Sequence, residues 1–295
     1  MNKLFEVPYN FDESLISFYK KNKSYINFLY LPPYKDDLLN TRTSIETNSK
    51  GRCYMPQYRK EYEHHIEMIL QAGLRYVILW QLPDSIISQK MLQYYCGLKT
   101  SGFIIGNDAN ARIIKTYDSR LLVIGSVVQR LGNNIKGKNL LYYDYVILYY
   151  VFNRSLDALK QLISIKDKIV IMPNTFCHID CPSMHHWFPS KEKPFIKKKD
   201  CMVFTTPKDY IQKCGLILPE HLYLFDDYVR GYKLAGREFS TEVITYICDT
   251  YFNRKKSEDY LDVMVGKSLS SRFKEAFNKC SLYQYYNTNS ERILI

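Results

Sequence analysis

The chain has 295 residues, with 41 Lys and Arg against 30 Asp and Glu and a net charge of +11. Hydrophobic residues make up 46% and charged residues 24%, which gives enough apolar surface to fold and excludes intrinsic disorder. Eight cysteines in this length exclude a small disulfide-stapled scaffold, and no apolar run approaches the roughly 18 residues of a spanning helix.

The opening residues, MNKLFEVPYNFDESL, lack the apolar core of a signal peptide. The longest apolar run, Tyr142–Phe152, is interrupted by Asp144. A cytoplasmic protein without a membrane partner is expected, with its cysteines as thiols or metal ligands.

Short runs of β-branched and aromatic residues alternate with helix-like stretches. The first candidate strand is Tyr25–Leu31. It is followed by a helical stretch, Tyr58–Gly73, with Tyr62, Ile66, Ile69 and Leu70 at helical spacing and Gly73 as a stop. Strand Arg75–Gln81 leads into helix Ser85–Leu98, and strand Gly102–Gly106 into helix Asp108–Tyr117. Strands Leu121–Gly125 and Tyr145–Val151 come next, then helix Ser155–Ile165. Strands Lys168–Met172 and Cys201–Thr205 follow, the second leading into helix Pro207–Cys214, where Pro207 suits a helix start. Strand Tyr228–Leu234 and helix Ser240–Phe252 complete the series.

Eight such units predict a TIM-like (β/α)8 barrel over residues 1–255. The nearly continuous apolar runs suit parallel strands, which are buried on both faces. No Gly-x-Gly-x-x-Gly follows any strand, which argues against an open dinucleotide-binding sheet. Residues 256–295 are expected to form a short helical or irregular extension packed on the barrel.

In such a barrel the chemistry sits just beyond the C-terminal ends of the strands. The polar residues there are Asn107, Asp108, Ser126, Asn153, Arg154 and Asn174, and we take Asn107, Asp108, Ser126, Arg154 and Asn174 as candidate catalytic groups. Each of them is equally a candidate helix cap or turn residue. Lys233 and Arg237 are candidate anion-binding cations. The basic run Lys191–Lys199 strengthens the expectation of an anionic small-molecule, peptide or RNA substrate, although such runs are commonly solvated loops.

The segment Asn174–Phe188 gathers Cys177, Cys181, His178, His185 and His186 directly after one candidate strand, and Cys201 and Cys214 follow. Thiolates grouped in this way suit zinc or an iron–sulfur cluster. Cys177, Cys181, Cys201 and Cys214 are the candidate ligands, with Cys53 or a histidine open as the alternative fourth. Cys53, Cys96, Cys248 and Cys280 otherwise read as small core residues. Cys177 or Cys181 beside His185 as nucleophile and base is the rival chemistry.

The segment Val170–Phe188 resembles the cysteine-bearing strand and loop of the peptidase U32 (collagenase-like) family. Gly106-Asn107-Asp108, Leu121–Ser126, Tyr145–Arg154, Thr206–Asp209 and the Tyr232-Lys233-Leu234-Ala235-Gly236-Arg237 stretch resemble further motifs of that family, in the same order. The resemblance implies a TIM-like barrel. In the iron–sulfur hydroxylase relatives it also implies a 4Fe–4S cluster, with Cys177 and Cys181 as ligands and Cys201 as a third. The chain reads Asn174-Thr175-Phe176-Cys177 where the family reads His-Gly-Ala-x-Cys, and Asn153-Arg154 where it reads Arg-Glu. These departures imply a divergent subgroup. An oxygen-independent hydroxylase-type enzyme is the expectation. A U32-type peptidase, or a partner subunit of a second related barrel with a structural metal, is the alternative.

Overall fold

Eight short parallel strands pair in chain order and close into a ring. They are β1 Phe5–Pro8, β2 Ile26–Leu31, β3 Tyr76–Trp80, β4 Gly102–Ile105, β5 Leu122–Gly125, β6 Tyr145–Ile147, β7 Ile169–Ile171 and β8 Gly231–Lys233. The computed structural model describes residues 3–34, 37, 55–132, 135, 140–175, 214–237, 239–256, 258–265 and 267–287. The barrel is the TIM-like (β/α)8 fold that the sequence predicts.

The ring differs from the expected one at its seam. Its first strand is Phe5–Pro8, and β1 closes against β8 with Phe5 opposite Tyr232 and Glu6 opposite Lys233. The expected strand Cys201–Thr205 lies outside the described residues. The ring is complete without it, because β7 pairs directly with β8 through Val170–Gly231 and Ile171–Tyr232. Phe5–Pro8 is easily passed over, since it holds a carboxylate and ends in proline. Proline has no N–H for a strand ladder and is tolerated at a strand end. Here the Pro8 carbonyl accepts a hydrogen bond from the Tyr19 hydroxyl at 2.6 Å.

Helices alternate with the strands: α1 Glu13–Lys21, α2 Arg59–Gln71, α3 Gln89–Gly97, α4 Asp108–Tyr117, α5 Leu156–Gln161 and α6 Thr241–Phe252. Side chains stop the orphan N–H groups at their starts. Asp12 caps α1, Ser88 caps α3, Asn107 caps α4 and Ser155 caps α5, each accepting a backbone N–H. Further on lie α7 Glu258–Val265, α8 Lys267–Asn278 and α9 Leu282–Asn287. The α9 helix is tied to the barrel where Tyr285 donates to the Leu216 carbonyl at 2.8 Å and Asn287 accepts the Asp157 N–H at 3.0 Å. Among the described residues, no helix is long and apolar enough to cross a membrane.

Pleat and register decide which side chains enter the barrel, because register partners leave a sheet on the same face. The rings of Phe5 and Tyr232 lie 5.4 Å apart, and Phe5 packs at 5.1 Å on Phe252 of α6, so this pair faces the helices. The next pair, Glu6 and Lys233, therefore faces the barrel interior. Tyr30 of β2 shares that face, its ring lying 4.2 Å from the Lys233 ammonium.

One glycine permits the close approach of β4 and β5. Gly102 has φ of +156°, and a Cβ there would lie 2.1 Å from the Leu122 carbonyl oxygen. We predict that Gly102→Ala lowers stability by about 2 kcal/mol or more, read from urea unfolding. An unchanged urea midpoint would contradict this packing.

Candidate functional site

The strand ends carry a rim of polar side chains, and most are engaged in building the rim itself. Asn107 accepts the Asn110 N–H at 2.8 Å, and its amide donates to the Pro83 and Ser85 carbonyls. Asp108 accepts a hydrogen bond from the Tyr143 hydroxyl. Ser126 is buried, receives the Gln81 amide at 2.8 Å and accepts the Val128 N–H.

Two asparagines act as clips between neighbouring strand ends. Asn153 donates to the Met172 carbonyl at 2.6 Å and accepts the Met172 N–H at 3.2 Å, which ties the β6 loop to β7. Asn174 does the same one strand further round, donating to the Ala235 carbonyl and accepting the Ala235 N–H, both at 2.8 Å. A primary amide can donate and accept at once, so each extends strand pairing past the last backbone ladder bond. Both residues are buried, where an unmade hydrogen bond is costly.

Three buried cations lie at or just beyond the C-terminal ends of strands. Arg154 follows β6, Lys233 ends β8, and Arg237 lies four residues beyond it. They are 2%, 3% and 4% exposed. The Arg154 guanidinium stacks 4.5 Å from the Tyr285 ring of α9, so the C-terminal helix fixes this side chain.

The residue missing from the sequence reading is Glu6. It is 2% exposed, and its carboxyl faces the interior from β1. Burial raises its pKa from the ordinary value of 4.5 to about 7, while Lys233, Tyr145 and Arg230 pull it down. The Tyr145 hydroxyl faces the Glu6 carboxyl, and each acts on the other's ionisation. The available signal was a glutamate set between Phe5 and Val7 in an otherwise apolar run.

The thiol group is divided. Cys177, Cys181 and Cys201 lie outside the described residues, as do Cys53, His178, His185, His186 and the basic run Lys191–Lys199. Cys214 is buried, accepts the Leu216 N–H at 3.3 Å, and lies 4.0 Å from the Thr175 carbonyl. Thr175 and Cys214 therefore meet just beyond β7. Burial pushes the Cys214 thiol up to about 11, against the pull of the Arg154 charge. Cys248 is also buried, whereas Cys96 and Cys280 are half-buried. Among the described residues no three His, Cys, Asp or Glu side chains are grouped to hold a metal.

The chain matches no protein-family model and no curated protein by sequence. Among solved structures, the U32 peptidase Mk0906 aligns with 80% of this chain and 93% of its own, with a TM-score of 0.50 and 11% identity. The spore cortex-lytic enzyme SleL of Bacillus megaterium QM B1551 aligns with 85% of this chain and 74% of its own, with a TM-score of 0.44 and 8% identity. Tryptophan synthase from M. tuberculosis aligns with 92% and 93% of the two chains, with a TM-score of 0.41 and 11% identity. At 11% identity the likeness to Mk0906 is one of fold alone, that of a TIM barrel, as the closed ring itself shows.

Two outcomes follow. Asn174→Ala removes a paired donor and acceptor and should lower stability by about 1–3 kcal/mol in urea unfolding; no change would contradict the clip. Glu6 sets a pH dependence whose sign is fixed by its raised pKa. The folded protein holds this proton more tightly than the unfolded chain, so its stabilising contribution is complete below about pH 4.5 and is lost as pH rises to about 7. Glu6→Gln should remove that decline, which has a limit of about 1.4 kcal/mol per pH unit. Parallel stability–pH curves for the two proteins would contradict it.

Proposed function

We propose that the chain is a TIM-barrel enzyme that acts on an anionic substrate at the C-terminal mouth, with Lys233 and Arg237 as the anion-binding groups. The observation that carries this reading is the burial of Arg154, Lys233 and Arg237 at the C-terminal ends of β6 and β8. TIM-barrel enzymes place their chemistry at this face. A cation held inside a protein interacts with an anion far more strongly than one in water.

The finer reading is U32-like iron–sulfur chemistry of the oxygen-independent hydroxylase type, with zinc as the alternative metal. It draws on the resemblance around Cys177, Cys181 and Cys201. Cys214 has an N–H donor from Leu216 and a neighbouring Arg154 charge, but burial outweighs both and favours the protonated thiol, so Cys214 would serve as a ligand only if metal binding displaced its proton. A 4Fe–4S cluster, when bound, supplies one-electron transfer. The residues of this chain would orient an anionic substrate and shield it from water.

The test has two readouts. Calorimetric titration with sulfate should show a site that weakens at least about tenfold in both Lys233→Met and Arg237→Met, a loss of about 1.4 kcal/mol. Unchanged binding in both variants would overturn the anion reading. Anaerobically purified protein should carry iron and acid-labile sulfide, and Cys177→Ala should lose them. Colourless protein without either would overturn the iron–sulfur reading and leave the anion reading standing.

A further inference from the structure

We propose that the face of the barrel opposite the mouth is a docking surface for double-helical RNA, held through its phosphate backbone by lysines grouped around the starts of β1 and β2. This goes beyond the reading of the mouth and does not depend on it. In a ring of parallel strands all N-terminal ends lie on one face. A Lys or Arg stands within three residues before every strand except β6. Asp144 and Asp167 are the acids in the same positions, and Lys115 pairs with Asp144 at 2.8 Å. Cations near helix C-termini complement the helix dipole, which accounts for some of this charge. Others are occupied: Arg120 pairs with Asp118, Lys168 donates to the Tyr143 carbonyl, and Arg254 pairs with Asp226.

One group is left over, and aromatic packing gathers it. The Phe252 ring at the end of α6 lies 5.1 Å from Phe5 of β1, 6.4 Å from Phe18 of α1 and 5.2 Å from Tyr25, the residue before β2. These contacts bring three short segments together. They are the start of β1 with Lys3, the α1–β2 turn with Lys20, Lys21 and Lys23, and the residues after α6 with Lys255 and Lys256. Lys255 pairs with Asp249. The other five ammonium groups have no ion-pair or hydrogen-bond partner among the described residues, and all but Lys3 belong to exposed residues. Glu258 and Asp259 follow at the start of α7, where a helix N-terminus favours acids. Like charges gathered on one surface attract a polyanion, whose binding releases its own condensed counterions.

The make-up of the surface selects the partner. Its lysines come from turns and from the ends of elements, so it offers phosphate contacts and no reading helix for a DNA major groove. Double-helical RNA is bound by shape and backbone across a wide, shallow minor groove. A membrane surface would call for exposed apolar anchors beside the lysines. Leu4, at 41% exposure, is the one large apolar side chain exposed in these three segments.

The probe is a labelled RNA duplex of mixed sequence, followed by fluorescence anisotropy at several salt concentrations. The unmodified protein should bind it with an affinity that falls steeply as salt rises. The double variant Lys21→Gln, Lys23→Gln should lose at least about fivefold in affinity, and its log–log salt slope should shrink by about two. The double variant Lys60→Gln, Lys90→Gln removes the same charge from the starts of α2 and α3, at the other end of the barrel, and should bind nearly as the unmodified protein does. Urea midpoints equal to that of the unmodified protein show that both variants are folded. Equal losses in the two double variants, or no binding of the duplex at low salt, would overturn the proposal. Equal affinity for a DNA duplex of the same sequence would overturn the assignment to RNA, as would binding to vesicles of anionic lipid in place of the duplex. None of these outcomes touches the sulfate test of Lys233 and Arg237.

Discussion

The pairing of β1 with β8 is the constraint on which the rest of the structure depends. It closes the ring, and its register places Glu6 against Lys233 inside it. A shift of one residue would turn Glu6 toward the helices and Phe5 inward, because strand side chains alternate between faces. Phe5 is held outward by its packing on Tyr232 and Phe252. The aromatic contacts outside the barrel thus determine the charged pair inside it. Burying a carboxyl is unfavourable unless a nearby cation or a bound proton offsets the charge. Glu6 has both recourses, and its raised pKa reflects the balance between them.

The same seam orders the mouth. Asn174 joins the end of β7 to Ala235, just beyond β8, and Asn153 joins the β6 loop to Met172. These clips hold the strand ends from which Arg154, Lys233 and Arg237 project. On the outer side, α9 sets Tyr285 against Arg154 and binds the Leu216 carbonyl. The C-terminal extension is therefore part of the wall behind the candidate site. Thr175 and Cys214 meet at this end of the barrel.

Much of the barrel was legible in the sequence. Runs such as Arg75–Gln81 and Leu121–Gly125 became β3 and β5 because uninterrupted apolar residues suit strands buried on both faces. Asn107 and Ser155 stand at helix starts, as their capping chemistry suggests. The seam was not legible. Phe5–Pro8 is four residues long, and its glutamate and proline both count against a strand when it is read locally. Only closure of the ring shows that the carboxyl has Lys233 to face. Cys201–Thr205 carries an equally good local pattern, and local pattern says nothing about which run pairs with which. At the mouth, Lys233 and Arg237 were legible as cations after a strand. Their burial was not, because it depends on packing between distant parts of the chain. The clip role of Asn174 was likewise hidden, since its partner Ala235 is 61 residues away.

The most direct test of the account is the titration of the Glu6 carboxyl itself. Carbon-13 labelling of glutamate carboxyls, with Glu6→Gln used to assign the missing resonance, would follow its ionisation by NMR. A barrel closed with Glu6 facing Lys233 in its interior predicts a midpoint near 7. A midpoint at the ordinary value of about 4.5 that stays there in Lys233→Met would place the carboxyl in water and contradict the closure on which the account rests.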